Sequence, residues 1–401
     1  MVGRMRRYRS IPWLATSLLV AAVTAATATP ASAFTVTVAW DTLIDHGVGG
    51  EATDAVSAGG ATFVLLEAAH DCRIARVDVS GAVEWIRDIG HARRNLSCQG
   101  IASMDDALFV AMVTSSRFDG VRGSGGSDTY LRKIDLDGTV LWTRSWGSGD
   151  SDVAWKVAAA ESGIYLAGTR VDPVTHEETP FLRRYDLEGD VAWTHYVRAG
   201  GLDVFLAVAA DATGAYVNWH DFETGDAWIR RYDLDGKVGW TSRTLGGDTE
   251  PLDIVRTDEG LFATGDTTAT LGRRSFGGYD VWVASLDPLT GRFLWIRKFG
   301  SAADDFGNGI GVGPAGITVT GSTGGQLTRF AGHGGYDAFV RGYALDGKRR
   351  WMRQFGTGKF DEGRTVIADA TGVVVIGETE GNLGDGHVDR NAAFLRRWEP
   401  A

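Results

Sequence analysis

Two cysteines, eight prolines and five methionines are all that occur in 401 residues. So few cysteines exclude a small disulfide-dense scaffold. The eight histidines form no HExxH pattern, no close pair and no Cys/His cluster, so the spacing of a catalytic metal site is missing. Neither a Gly-x-Ser-x-Gly elbow nor a phosphate loop occurs, and Gly123-Ser124-Gly125-Gly126-Ser127 lacks the lysine and helix that a phosphate cradle requires. Charged residues make up 23% against 44% hydrophobic, too few for a self-repelling disordered polymer. The formal charge of -11, with no basic run beyond the N-terminus, excludes a nucleic-acid binder, which needs a clustered surplus of Lys and Arg. What is abundant is glycine, 55 residues, beside 14 Trp and 17 Phe. That combination describes short strands joined by glycine turns and packed by aromatic rings.

The N-terminus reads as an export signal. Arg4, Arg6, Arg7 and Arg9 precede an uncharged, mostly apolar stretch from Ile11 to Ala28, and Ala31-Ser32-Ala33 forms a small-residue cleavage site. A permanent anchor wants about 20 solidly apolar residues. Here Thr16, Ser17, Thr24 and Thr27 interrupt the run. Arg9 and Ser10 stand where a twin-arginine signal has apolar residues, so ordinary export is expected. Loss of 33 residues and their four arginines from 401 residues and a charge of -11 leaves 368 residues at -15. The expected mature protein is acidic and secreted or extracytoplasmic, has no membrane span, and is monomeric.

A glycine stands four residues before a tryptophan six times: Gly81 and Trp85, Gly138 and Trp142, Gly189 and Trp193, Gly236 and Trp240, Gly291 and Trp295, Gly347 and Trp351. Upstream lies an alternating segment ending in an acidic turn, as in Leu131-Arg132-Lys133-Ile134-Asp135-Leu136-Asp137-Gly138. This is a hairpin signal. A second hairpin precedes it, marked by segments such as Gly260-Leu261-Phe262-Ala263-Thr264-Gly265 and Gly372-Val373-Val374-Val375-Ile376-Gly377. Each unit therefore holds four short strands, and the tryptophans recur every 47 to 57 residues, near the period of propeller blades. The last unit stops at Leu395-Arg396-Arg397-Trp398, one strand short, while Thr35-Val36-Thr37-Val38-Ala39-Trp40 supplies an outer strand at the mature N-terminus. The expectation is an all-β, seven-bladed β-propeller over 34–401. Its ring closes by pairing Thr35 to Asp45 with Asn391 to Trp398, leaving no open sheet edge.

Gly278-Tyr279-Asp280-Val281-Trp282-Val283 and Gly335-Tyr336-Asp337-Ala338-Phe339-Val340, each followed by a turn, Trp, Phe-Gly and then Asp305 or Asp361, resemble the SBBP-type β-propeller repeats of bacterial exported proteins. The resemblance spans Phe34 to Trp398 and is sharpest from Phe276 to Gly377. It implies a propeller outside the cytoplasm but carries no single chemistry. The turn-Gly-x-x-x-Trp phrase is also similar to quinoprotein dehydrogenase propellers. Without a vicinal cysteine pair, that activity does not transfer.

The anchor tryptophans are expected to wedge between blades, whereas Trp146, Trp155, Trp219, Trp228 and Trp282 fall outside that set and are candidates for stacking on a ligand. Asp152, Asp203, Asp305 and Asp361 recur ten positions after the anchor, with Asp54 and Asp253 shifted. As a ring at the channel mouth they would suit calcium; as loop residues they would accept backbone N–H bonds. No other cofactor is expected. The irregular loops between second and third strands share one face and carry Arg117, Arg122, Arg273, Arg274, Arg329, His333 and His387. Loops on a rigid scaffold are where recognition resides, and Arg273, Arg274, Arg329 and His333, with Trp155, form the expected ligand face. Cys72 and Cys98 lie thirteen residues either side of Trp85, at strand ends of adjacent blades, and are expected to form a disulfide. Two functions follow. One is a non-catalytic binding or scaffold module for a wall polymer, glycan or protein. The other is a polysaccharide hydrolase or lyase using His333 or His387 with a ring Asp.

Overall fold

The outer hairpins of the first five blades along the chain turn at an aspartate, whereas the sixth has Ala344 in that place. Asp135 accepts the backbone N–H groups of Asp137 and Thr139 on its Oδ1, at 3.0 and 2.7 Å, and Gly138 closes the turn with φ of 82°. Asp186 and Asp233 do the same in their own turns. Asp135-Leu136-Asp137-Gly138 is thus a hairpin turn, its carboxylate consumed by the backbone.

The computed structural model describes residues 36–400 apart from 45–50, 69, 93–95, 120–123, 125, 150, 173, 176, 198–202, 222, 245, 271–275, 329–333 and 384–390, together with the side chains of 203–205. These residues form seven antiparallel four-stranded sheets. The fold is a seven-bladed β-propeller. Blade 1 covers 51–91, blade 2 96–146, blade 3 152–196, blade 4 203–243, blade 5 249–299 and blade 6 305–355. Blade 7 joins both ends of the chain. Its order is Val36–Ile44, Ala392–Pro400, Val373–Thr379, Asp361–Ala368, and the N-terminal strand pairs from Val36 opposite Pro400 to Ile44 opposite Ala393, with a bulge between Val38 and Trp40. Phe34–Ala401 is one compact unit. Residues 1–35, which include the export signal expected over 1–33, lie outside the described residues.

The core consists of slabs between consecutive blades. Ile44, Ala52, Leu66, Val374, Ile376 and Leu395 fill the slab joining blades 7 and 1, and Ala207, Tyr216, Ile229, Ile254, Leu261 and Trp282 the one joining 4 and 5. Middle strands are covered on both faces, so Gly316–Thr323 and Asp280–Leu286 are buried along their whole length. This overrides the alternation in the sequence. Arg132, at a position that alternation assigns to solvent, is buried because its guanidinium lies over the Phe118 ring and binds Asp119 and the carbonyl of Ile89.

The Gly-x-x-x-Trp phrase works across the blade boundary. The ring of Trp240 in blade 4 lies against Gly291 of blade 5, where a Cβ would come within 2.4 Å of it, and the indole N–H donates to the carbonyl of Pro288 at 2.9 Å. Trp40, Trp193 and Trp295 use the following blade in the same way. Half-buried rings of this kind stabilise each junction by about 1–2 kcal/mol. Cys72 in the third strand of blade 1 is bonded to Cys98 in the first strand of blade 2, with Cα atoms 5.8 Å apart, so the disulfide links neighbouring blades.

Candidate functional site

Seven innermost strands surround the channel, and each contains a β-bulge at the same place. The interrupting residues are Thr53, Gln99, Trp155, Leu206, Leu252, the pair Gly307-Asn308, and Arg364. A bulge bends its strand and re-aims a side chain. The partner strand must come unusually close. A Cβ on Gly265 or Gly377 would lie 1.9 Å from the carbonyl oxygen of Glu250 or Glu362. The terminal glycine of the repeated Gly-x-x-x-x-Gly segment therefore accommodates the bulge.

Several bulge residues line a cavity of about 390 Å³ with Glu51, Glu67 and Lys156 in its wall. Trp155 is 38% exposed there, its indole N–H held by Thr169 Oγ1 at 3.3 Å. Glu67 accepts the Ser97 hydroxyl and the Cys98 N–H, both at 2.9 Å. Lys156 bonds Asp54 at 3.2 Å. Burial acts to lower its pKa, but the carboxylates of Asp54 and Asp253 outweigh this and hold it above the ordinary lysine value. Asp54 also accepts the N–H of Ile101, and Asp253 that of Ile310 at 2.9 Å. Burial pushes Asp253 up to about 6. At the rim Arg364 pairs with Glu378, lies 3.9 Å from Glu51 and 3.8 Å from Glu362, and Asn308 donates to Glu362 at 2.7 Å. Glu378 is pushed up to about 7 by burial, which the Arg364 charge only partly offsets.

Trp155 is the expected ligand residue found at this cavity. Arg273, Arg274, Arg329 and His333 lie outside the described residues, as do Arg122 and His387. Among the other stacking candidates, Trp282 and Trp219 are core residues, 0% and 4% exposed. Trp219 stacks on Trp228, and Trp146 packs edge-on against Phe181.

The expected carboxylate ring takes the other of its two readings where its side chains are described. Asp152, Asp305 and Asp361 are fully buried at the first positions of their strands. Each accepts the N–H four residues earlier at 2.5 Å, from Ser148, Ser301 and Thr357. Asp203 begins its strand likewise, but its side chain is outside the described part. No group of three or more His, Cys, Asp or Glu side chains among the described residues converges closely enough to hold a metal ion. The shifted Asp54 and Asp253 are the pair that meets Lys156. Lys156 and Arg364 escaped the sequence reading because a bulge reverses strand alternation, whose one signal is the glycine on the partner strand, and Glu378 because its middle strand is buried along its whole length.

No protein-family model matches the chain, and no curated protein matches it. Among solved structures it is similar to the WD40 domain of coronin from Toxoplasma gondii, with a TM-score of 0.52 and 9% identity over 92% of this chain and 89% of that one. A protein from Lactobacillus plantarum gives a TM-score of 0.51 at 15% identity, over 81% of this chain and 95% of that one. The acylaminoacyl peptidase of Pyrococcus horikoshii gives 0.51 at 10% identity, over 88% of this chain but 52% of the peptidase. Identities this low carry the propeller fold and no activity.

Proposed function

We propose that the chain is an exported, non-catalytic binding propeller of the SBBP type, which takes a glycan of a wall or extracellular polymer at the channel mouth. The observation that carries this reading is the exposed face of Trp155 beside a cavity walled by Glu51, Glu67, Gln99 and Lys156. An aromatic face suits the C–H surface of a sugar ring, and carboxylates and amides suit its hydroxyl groups. A stacking ring on a rigid strand loses little conformational entropy on binding. Arg273, Arg274, Arg329 and His333, which lie outside the described residues, are kept in this proposal as candidates for anionic substituents on the strength of the sequence alone. The test is binding of the purified mature protein to arrayed glycans, with and without calcium, repeated with Trp155→Ala. Loss of the captured glycan in a folded variant supports the site. Retained affinity in Trp155→Ala, with loss in the quadruple alanine variant of the loop residues, moves it to the loops.

A second reading is favoured by one observation. Glu378 is pushed up to about 7 among Glu51, Glu362 and Arg364, the kind of environment that sets an acid apart from a neighbouring carboxylate in glycoside cleavage. Release of reducing ends from the captured glycan, abolished in Glu378→Gln, would make the protein a hydrolase.

A further inference from the structure

Three blades place carboxylates directly opposite one another at the same point of the first hairpin. Glu51 faces Glu67 in blade 1, Glu250 faces Asp266 in blade 5, and Glu362 faces Glu378 in blade 7. Like charges in that position repel, so each pair calls for compensation. In blade 7 the bulge residue of the same strand is Arg364, whose guanidinium reaches Glu378 and Glu362, while Asn308 from blade 6 binds Glu362. In blade 1 Glu67 is held by Ser97 and the Cys98 N–H, and Arg364 lies 3.9 Å from Glu51. In blade 5 the bulge residue is Leu252. There the chain places an isobutyl group where blade 7 has a guanidinium.

The consequences are visible at Asp266. It is 2% exposed, and among the described residues its buried Oδ1 has no hydrogen-bond partner. Among the described residues, neither Asp266 nor Glu250 has an ion-pair partner. The adjacent lysine, Lys298, is committed to Asp280 at 2.8 Å and to the carbonyl of Ala269. The charges of Asp248 and Asp304 add to that of Glu250 around Asp266. Beside Asp248 is Tyr279, whose hydroxyl donates to it at 2.5 Å and whose ring lies 6.0 Å from that of Phe306. No three of these carboxylates converge tightly enough for a metal ion. A planar organic cation spans wider gaps and is attracted by aromatic faces as well as by carboxylates.

We propose that blade 5 carries a binding site for an external guanidinium or alkylammonium group, which fills between Glu250 and Asp266 the place that Arg364 fills between Glu362 and Glu378. The site is separate from the Trp155 cavity and independent of the glycan reading. Glu378 is 4% exposed with the Arg364 guanidinium covering it, whereas Asp266 is 2% exposed with no cation upon it, so an external cation reaches Asp266 by displacing the side chains that cover it. Without a cation, Asp266 is pushed up to about 8, first by burial and then by Glu250, and holds a proton at neutral pH. A bound cation expels that proton. The other titratable groups facing it are Glu250, Asp248, Asp304 and Tyr279, with His220 3.6 Å from Asp248.

The probe is ethylguanidinium chloride, titrated calorimetrically into the full mature protein at neutral pH in two buffers of different ionisation enthalpy, with sodium chloride as control. Saturable 1:1 binding is expected, with release of close to one proton and affinity that strengthens from about pH 6 to about pH 8.5. Asp266→Asn should weaken it at least about tenfold. Leu252→Arg, which supplies the missing guanidinium from the chain itself, should weaken binding as much while raising the melting temperature. Absence of saturable binding below about 10 mM, binding without proton release, or undiminished binding in both folded variants would each overturn the proposal. Should Asp266→Asn fail to fold, Leu252→Arg alone decides.

Discussion

Deleting residues 34–44 from a chain that begins at Phe34 tests whether the N-terminal strand closes the ring. Val36 and Ile44 are 5% and 2% exposed in the native protein, and full burial of each contributes about 2 kcal/mol. Trp40 adds its contact with Gly81 and its bond to the Val79 carbonyl, about 1–2 kcal/mol more. Arg396 grips Asp41 through two bonds at 2.5 and 2.8 Å, and Arg353 donates to the Val36 carbonyl at 2.9 Å. Together these amount to roughly 5–8 kcal/mol, comparable with the entire stability of a typical domain. The truncated protein should therefore lose most of its resistance to urea, followed by tryptophan fluorescence and far-UV circular dichroism. Size-exclusion chromatography should show association through the exposed edge at Ala392–Pro400. Ile44→Ala is the milder perturbation, expected to cost about 2–4 kcal/mol by leaving a cavity between blades 7 and 1. An unchanged urea midpoint and a monomeric elution volume for the truncated chain would refute the reasoning.

Four further outcomes are expected. Reducing the Cys72 to Cys98 bridge, which spans 26 positions of chain, should lower stability by about 3–4 kcal/mol; two alkylated thiols in unreduced exported protein would show that no bridge forms. Lys298→Met leaves Asp280, 0% exposed, without its partner at 2.8 Å and should destabilise by about 3–5 kcal/mol, so a loss below about 1 kcal/mol in urea would contradict the burial of that pair. Asp253, Glu378 and Asp266 are held by burial at about 6, about 7 and about 8, above their unfolded values, so their stabilising contribution is complete below about pH 4 and lost as pH rises through those values. The melting temperature should fall from about pH 5 to about pH 8.5, and Asp266→Asn should flatten the upper part of that fall; a steady rise across the window would reverse the sign assigned here. Trp155→Ala should leave the melting temperature within about 2–4 °C of the parent, since the ring is 38% exposed, while abolishing capture of the glycan found on the array.

Local chemistry made the architecture legible. A left-handed glycine after an aspartate turn and a tryptophan four residues later are each determined by backbone sterics within one hairpin, and their recurrence counts the blades. The single strand at the N-terminus and the three-strand unit at the C-terminus pointed to the shared seventh blade, because a sheet edge needs a partner. Strand phase placed Cys72 and Cys98, the two cysteines of the chain, at neighbouring strand ends, where the structure joins them. The site was far less readable. Asp152, Asp305 and Asp361 look like a recurring set of ligands along the chain, yet each turns inward to its own loop N–H group. Trp219 and Trp282 look spare until neighbouring blades cover them. The charged groups that meet, Asp54 with Lys156 and Arg364 with Glu51, come from different blades and from strands whose alternation a bulge has shifted. Which side chains share the channel depends on blade tilt and bulge phase, and both arise from packing between units far apart in the chain. The sequence by itself therefore determined the repeat, the closure and the disulfide, since each follows from interactions within a blade or between neighbours. Tertiary structure alone decided which charges meet across the channel and which carboxylate, Asp266, is buried with no ion-pair partner among the described residues.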